Sequence, residues 1–229
     1  MAEFKRYAIY YTPKPGPLAE FGASWLGWDL RLGREVAPPL IDGLPTDQIA
    51  TLTQTPRRYG FHATLKPPFR LAPGQSAADL ADALREQCRG LLPVAQPGGL
   101  KLALLDGFLA LIPAAPAPAL GDLAAALVRG LDHFRAPLTE AERAKRRPER
   151  LTPTQRANLD AWGYPWVMQH FRFHMTLTGR LPEAKAAEVM ALLHPRLAPI
   201  LPDPLLLDAI TLCGEDGGGR FHEVARIGL

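Results

Sequence analysis

Two histidines of this chain sit inside the same five-residue phrase, Phe61-His62-Ala63-Thr64-Leu65 and Phe173-His174-Met175-Thr176-Leu177. Imidazole is the side chain whose ordinary proton affinity lies nearest neutral pH, so a matched pair supplies a base and an acid to one reaction. The hydroxyl two residues after each histidine adds a partner for an anionic oxygen. A single histidine is more often a hydrogen-bonded structural residue. With six histidines in the whole chain, two copies of the full phrase are poorly explained by chance. His62, Thr64, His174 and Thr176 are therefore the candidate catalytic residues.

Both phrases read as strands, in which successive side chains face opposite sides. Phe61, Ala63 and Leu65 then enter the core, while Gly60, His62, Thr64 and Lys66 face a cleft. The second copy sends Phe173, Met175 and Leu177 inward and turns Arg172, His174, Thr176, Thr178 and Arg180 to the opposite face. Each strand aims an imidazole, a hydroxyl and cations at one space, an inventory suited to a phosphodiester. Lys66, Arg172, Thr178 and Arg180 are the candidate phosphate ligands, with Arg58, Tyr59 and Tyr7 as further lining. Pro67-Pro68 ends the first strand and weakens the parity argument at Lys66. His170 and His174 have a spacing that would pair on one metal on a helix, but their alternating context is strand and no third ligand is near, so no metal or other cofactor is expected. Trp162, Tyr164 and Trp166 read as packing for their segment, with base stacking as the alternative. His133, His194 and His222 lack a partner phrase and read as surface or capping residues.

The elements that position these residues repeat. Tyr7 to Tyr11 is an apolar run followed by the stiff turn Pro13 to Pro17 and a helical pattern through Phe21, Trp25 and Leu26; Phe108 to Ile112, Pro113 to Pro118 and a helix through Leu123, Leu127 and Leu131 repeat that order. After each histidine phrase comes another helix, one opened by Ser76 with Asp79, the other near Pro182. Each unit closes with a strand, Leu100 to Leu105 and Leu205 to Leu212. Asp106-Gly107 reads as a tight hairpin joining the units, and Gly217 to Gly219 turns the final pair. The expected fold is α+β: a bilobal, pseudo-twofold duplicated fold of two mainly antiparallel sheets around a central cleft, with helices packed outside. Residues 1–229 form a single bilobal domain of repeat units at about 1–107 and 108–229. Unit two carries a helical insertion over about 136–166, with starts at Thr139/Glu142 and Thr152/Gln155. Unit one carries instead an irregular stretch with a short helix capped by Thr46.

Composition is that of an ordinary globular chain: 229 residues, 47% hydrophobic, 21% charged, net charge +3. The N-terminal stretch carries no cleavage-site pattern and no apolar run reaches membrane-span length, so a cytoplasmic protein without membrane attachment is expected. Cys88 and Cys213 are far apart and read as buried thiols. Arg143, Lys145, Arg146, Arg147 and Arg150 form a basic run that favours a phosphate-bearing partner or a solvated helix face.

The paired His-x-Thr phrases in a duplicated chain resemble the 2H phosphoesterase superfamily, over essentially the whole length. Arg58-Tyr-Gly-Phe-His-Ala-Thr-Leu-Lys-Pro-Pro68, Trp162 to Met168 and Phe171 to Gly179 are similar to an uncharacterised branch labelled phosphonate metabolism protein. The superfamily resemblance implies metal-independent catalysis by His62, Thr64, His174 and Thr176. The branch resemblance implies a small phosphorylated substrate, a ribose cyclic phosphate from carbon-phosphorus bond cleavage. The alternatives are an RNA 2′,3′-cyclic phosphodiesterase or 2′-5′ ligase-like enzyme, with RNA as partner, and a non-catalytic module that binds a nucleotide or sugar phosphate.

Overall fold

The computed structural model describes residues 4–229; residues 1–3, part of the N-terminal stretch read for targeting, lie outside it. In chain order the elements are β1 (Arg6–Tyr11), α1 (Pro17–Leu26), the short pair β2 (Trp28–Asp29) and β3 (Arg34–Glu35), α2 (Thr46–Thr53), β4 (Ala63–Phe69), α3 (Ala77–Arg89), β5 (Val94–Gln96) and β6 (Leu100–Leu105). Then follow β7 (Phe108–Pro113), α4 (Pro118–Gly130), α5 (Glu140–Ala144), α6 (Pro153–Trp162), β8 (Met175–Arg180), α7 (Glu183–Leu197), β9 (Leu205–Leu207), β10 (Ala209–Glu215) and β11 (Phe221–Gly228).

Local chemistry accounts for most of the boundaries. Ser76 accepts the Asp79 amide to open α3, whose Leu80, Leu84 and Cys88 are buried on one face. Thr139 with Glu142, and Thr152 with Gln155, form reciprocal capping boxes at α5 and α6. Asp106 and Gly107 both take positive φ, 49° and 87°, the geometry a two-residue hairpin needs, and β6 and β7 pair in full register across them. The helix expected from Thr46 forms, but Pro45 holds the cap position and no side chain closes it. The strand expected over Leu205 to Leu212 breaks at Asp208: Leu205–Leu207 pairs with β5, and β10 crosses to β1.

Seven strands run in the order β11-β10-β1-β4-β8-β7-β6, each antiparallel to its neighbour. Among the described residues, one register pair, Ala63 with Met175, joins the two antiparallel lobes, β11-β10-β1-β4 and β8-β7-β6, within the sheet. Each lobe draws strands from both repeats: β6 belongs with the second histidine strand, and β10 and β11 with the first. The lobes therefore do not follow a boundary near residue 107. The main core lies between this sheet and the helices, and includes Tyr7, Ile9, Trp25, Leu84, Leu127 and Val189. A smaller cluster, Ala8, Tyr10, Trp28, Leu30, Cys213 and Phe221, lies on the other face of the first lobe. Among the described residues, no helix is long and apolar enough to cross a membrane.

Candidate active site

The one pair that joins the lobes fixes the site, because Ala63 and Met175 are the residues immediately after His62 and His174. The two imidazoles are thereby brought to the same seam, close enough for the charge of His174 to bear on His62. Their Nδ1 contacts are the same in both halves. His62 Nδ1 lies 2.9 Å from the carbonyl oxygen of Gly60, and His174 Nδ1 lies 2.7 Å from that of Arg172. A carbonyl can only accept, so Nδ1 carries the hydrogen in each ring and Nε2 is left to exchange a proton. Thr64 Oγ1 sits 3.1 Å from His62 Nε2.

The two environments differ. Tyr10 stacks on His62 with ring centroids 3.7 Å apart, and its buried hydroxyl has no hydrogen-bond partner among the described residues. Burial pushes the His62 imidazole down to about 4; the Gly60 carbonyl opposes this and His174 adds to it. His174 is also lowered by burial; the Arg172 carbonyl favours its charged form, the Arg172 guanidinium opposes it, and the Asp106 carboxylate favours it. Asp106 is ion-paired with Arg172 and held below the usual carboxylate range by that bond. His62 is thus the more firmly neutral ring, and His174 lies beside the Arg172–Asp106 ion pair.

Thr64, His174, Arg172 and Arg180 line one cavity of about 270 Å³, with Asp106 and Phe108 on the same wall. Tyr164 and Trp166 form its far side, their rings in edge contact at 5.5 Å, and Trp166 is 42% exposed. These two aromatics line the site instead of packing the insertion internally. Thr176 is half-buried on β8, opposite Ala110. Arg58 and Tyr59 sit together beside His62, the Arg58 guanidinium 4.7 Å from the Tyr59 ring and that ring 6.2 Å from the imidazole. They line a neighbouring chamber rather than the histidine cavity, whose walls include His174 and Thr64 but not His62 itself. His222, read as a surface or capping residue, is half-buried and bonds to Asp216 at 2.7 Å.

Three expected ligands are elsewhere. Lys66 is 1% exposed and bonds to the Val128 carbonyl at 3.1 Å and to Asp132 at 3.2 Å, on the helix side of the sheet. Thr178 is 1% exposed and its hydroxyl accepts the Leu109 amide at 2.9 Å. The cause is the same in both. Tyr10 pairs with Thr64 and Tyr7 with Phe69, so β4 gains two residues over β1; Ala110 pairs with Thr176 and Phe108 with Arg180, so β8 gains two over β7. The bulges break the two-residue alternation just past each threonine. Tyr7 is the third: it lies at 4% exposure in the main core, with Phe4 in edge contact. The tyrosine on the histidine face is Tyr10, which the register of β1 against β4 would have found.

A family model described as "Protein of unknown function (DUF1045)" matches residues 64–222. The chain belongs to the DUF1045 family. This DUF1045 chain is 40% identical over 228 residues to "Ribose 1,5-bisphosphate phosphokinase PhnN" of Janthinobacterium sp. (strain Marseille), a match covering 97% of the chain and 50% of that relative. A protein of the same name from Laribacter hongkongensis (strain HLHK9) is 36% identical over 182 residues, 78% of the chain and 41% of that relative. The chain spans about half the length of the curated relatives it matches. The crystal structure of E. coli LigT complexed with 3′-AMP aligns over 99% of both chains at 15% identity and a TM-score of 0.42. The DUF1045 match opens at Thr64, two residues past His62, and includes the whole second phrase.

Proposed function

We propose that this chain is a two-histidine phosphoesterase that opens a small cyclic phosphate without a metal ion. The observation that carries the reading is the matched pair of rings on either side of the Ala63–Met175 contact, each with Nδ1 on a carbonyl and Nε2 without the hydrogen, that of His62 facing the Thr64 hydroxyl. In the proposed reaction His62 Nε2 takes a proton from water as the water oxygen bonds to phosphorus. The bond from phosphorus to one ring oxygen breaks, and protonated His174 delivers its proton to that oxygen. A phosphodiester and water become a phosphomonoester and an alcohol. Thr64 and Thr176 hydroxyls hold the non-bridging oxygens, and Arg172 and Arg180 offset the charge that builds on them.

The relatives' names support a substrate. A ribose 1,2-cyclic phosphate bearing a 5-phosphate, cleaved between phosphorus and O2, yields ribose 1,5-bisphosphate, the compound on which those longer relatives are named to act. The exposed Trp166 beside Tyr164 favours a second reading, in which a base stacks there and the substrate is an RNA 2′,3′-cyclic end.

The test is hydrolysis in excess chelator of ribose 1,2-cyclic phosphate 5-phosphate, a 2′,3′-cyclic nucleotide and an RNA with a cyclic end. His62→Ala and His174→Ala are each expected to lower kcat by about 10²- to 10⁴-fold, the range of acid-base catalysis. Turnover that survives both substitutions, or that the chelator abolishes, would sink the mechanism. Ligand binding without turnover by the wild type would favour a binding module.

A further inference from the structure

Next to the histidine cavity lies a second chamber of about 420 Å³, whose walls come from segments that no single motif of the sequence connects. Seven cationic side chains line it. Four are already matched: Arg6 by Glu215, Arg70 by Glu142, and Lys66 and Arg135 together by Asp132. The other three have no carboxylate partner among the described residues. Arg58 bonds to the Tyr59 hydroxyl, at 2.7 Å. Arg146 lies over the Tyr164 ring at 4.7 Å, and its Nε is buried with no hydrogen-bond partner among the described residues. Lys145 has no ion-pair or side-chain hydrogen-bond partner among them either. A concave surface that crowds unmatched cations raises the local concentration of anions, and a buried guanidinium donor left unsatisfied is itself costly.

The chamber adjoins the histidine cavity. Pro67 lines both cavities, Tyr59 stands between Arg58 and His62, and Tyr164, under Arg146, lines the histidine cavity. We infer that the chamber is a second anion subsite, formed by Arg58, Lys145 and Arg146, that takes a phosphomonoester carried by the same small molecule whose cyclic phosphate reacts between the histidines. This inference deepens the phosphoesterase reading and rests on it for the identity of the reacting group. It divides the basic run by role, since Lys145 and Arg146 turn into the chamber whereas Arg143 is held on Asp160 at 2.5 Å.

Calorimetric titration of the whole protein with ribose 5-phosphate tests the subsite without turnover. The wild type and the His62→Ala/His174→Ala variant are expected to bind it alike. Lys145→Met/Arg146→Met is expected to bind about 100-fold more weakly, on the order of tenfold for each charge-assisted bond removed. Arg58→Gln, at an exposed position, is expected to lose about tenfold and serves if the double variant does not fold. Binding that the histidine substitutions abolish and the cation substitutions leave intact would overturn the subsite, as would no binding by the wild type. A dinucleoside monophosphate lacking a terminal phosphate separates a chain phosphate from a monoester; tighter binding of that probe would overturn the assignment too. Failure of the wild type to hydrolyse any cyclic phosphate would defeat the catalytic reading alone, since the titration decides the chamber independently.

Discussion

Gly60 makes the His62 geometry available. It holds φ 71° and ψ −178°, a region open to little but glycine, and a Cβ there would lie 2.6 Å from Leu30 Cδ2. Its carbonyl is the group that keeps the hydrogen on His62 Nδ1. Gly60→Ala is therefore expected to cost about 1–3 kcal/mol of stability and to lower kcat more than it raises KM. Chemical denaturation and steady-state kinetics check the two effects separately. His62 also links stability to pH. The folded ring binds a proton only near pH 4, whereas the unfolded ring binds one near 6.5, so the unfolded chain carries more protons between those values. The contribution is complete above about pH 6.5 and is lost as pH falls to about 4, by up to about 3 kcal/mol. Urea midpoints across that window should flatten in His62→Gln relative to wild type; parallel curves would place the depression elsewhere.

Between strand and helix, Lys66 shows how a bulge changes what a side chain does. It leaves the histidine face and ends under the C-terminal end of α4, against Val128 and Asp132, where burial pushes its ammonium down to about 8 in spite of Asp132. Asp132→Asn strands that cation and also unpairs Arg135, so a loss of about 3 kcal/mol or more is expected, read as a lower melting temperature. Little change would mean that Lys66 deprotonates or reaches solvent. The phrases, capping boxes, Asp106-Gly107 hairpin and repeated order were legible in the sequence because each is a short-range signal. The bulges are not: two extra residues per strand are a property of the partner's register, and they turn Lys66 and Thr178 away from the face that strict alternation gives them. The place of Tyr10 is hidden for a related reason, since its face depends on where β4 lies. The chamber draws on β1, the end of β4 and the insertion, segments that no local spacing connects.

Across the whole molecule, the repeats hold each other's histidine strands. Helix α4 of the second repeat packs against β4, while α1 and α2 of the first pack against β8. Trp25 of α1 donates its indole hydrogen to the Leu177 carbonyl at 2.7 Å, where β8 departs from its ladder with β7. With a single register pair joining the lobes, such crossed helices do much to set the spacing of the two imidazoles. Trp25→Phe keeps an aromatic ring in a fully buried place but removes the donor, leaving a buried carbonyl unmatched at about 1–3 kcal/mol. If the crossed packing sets the histidine spacing, this substitution, outside either cavity, lowers kcat by about tenfold or more with little change in KM, because a displaced catalytic group loses alignment rather than binding. The pH profile separates this from general loosening. In wild type, kcat/KM is expected to peak below pH 6.5, since both rings are depressed and one must be neutral while the other is charged. A Trp25→Phe profile of the same shape at lower height points to misalignment alone. A profile whose limbs move toward 6.5 means that the histidines have gained water, and then the crossed helices act by excluding solvent from the seam.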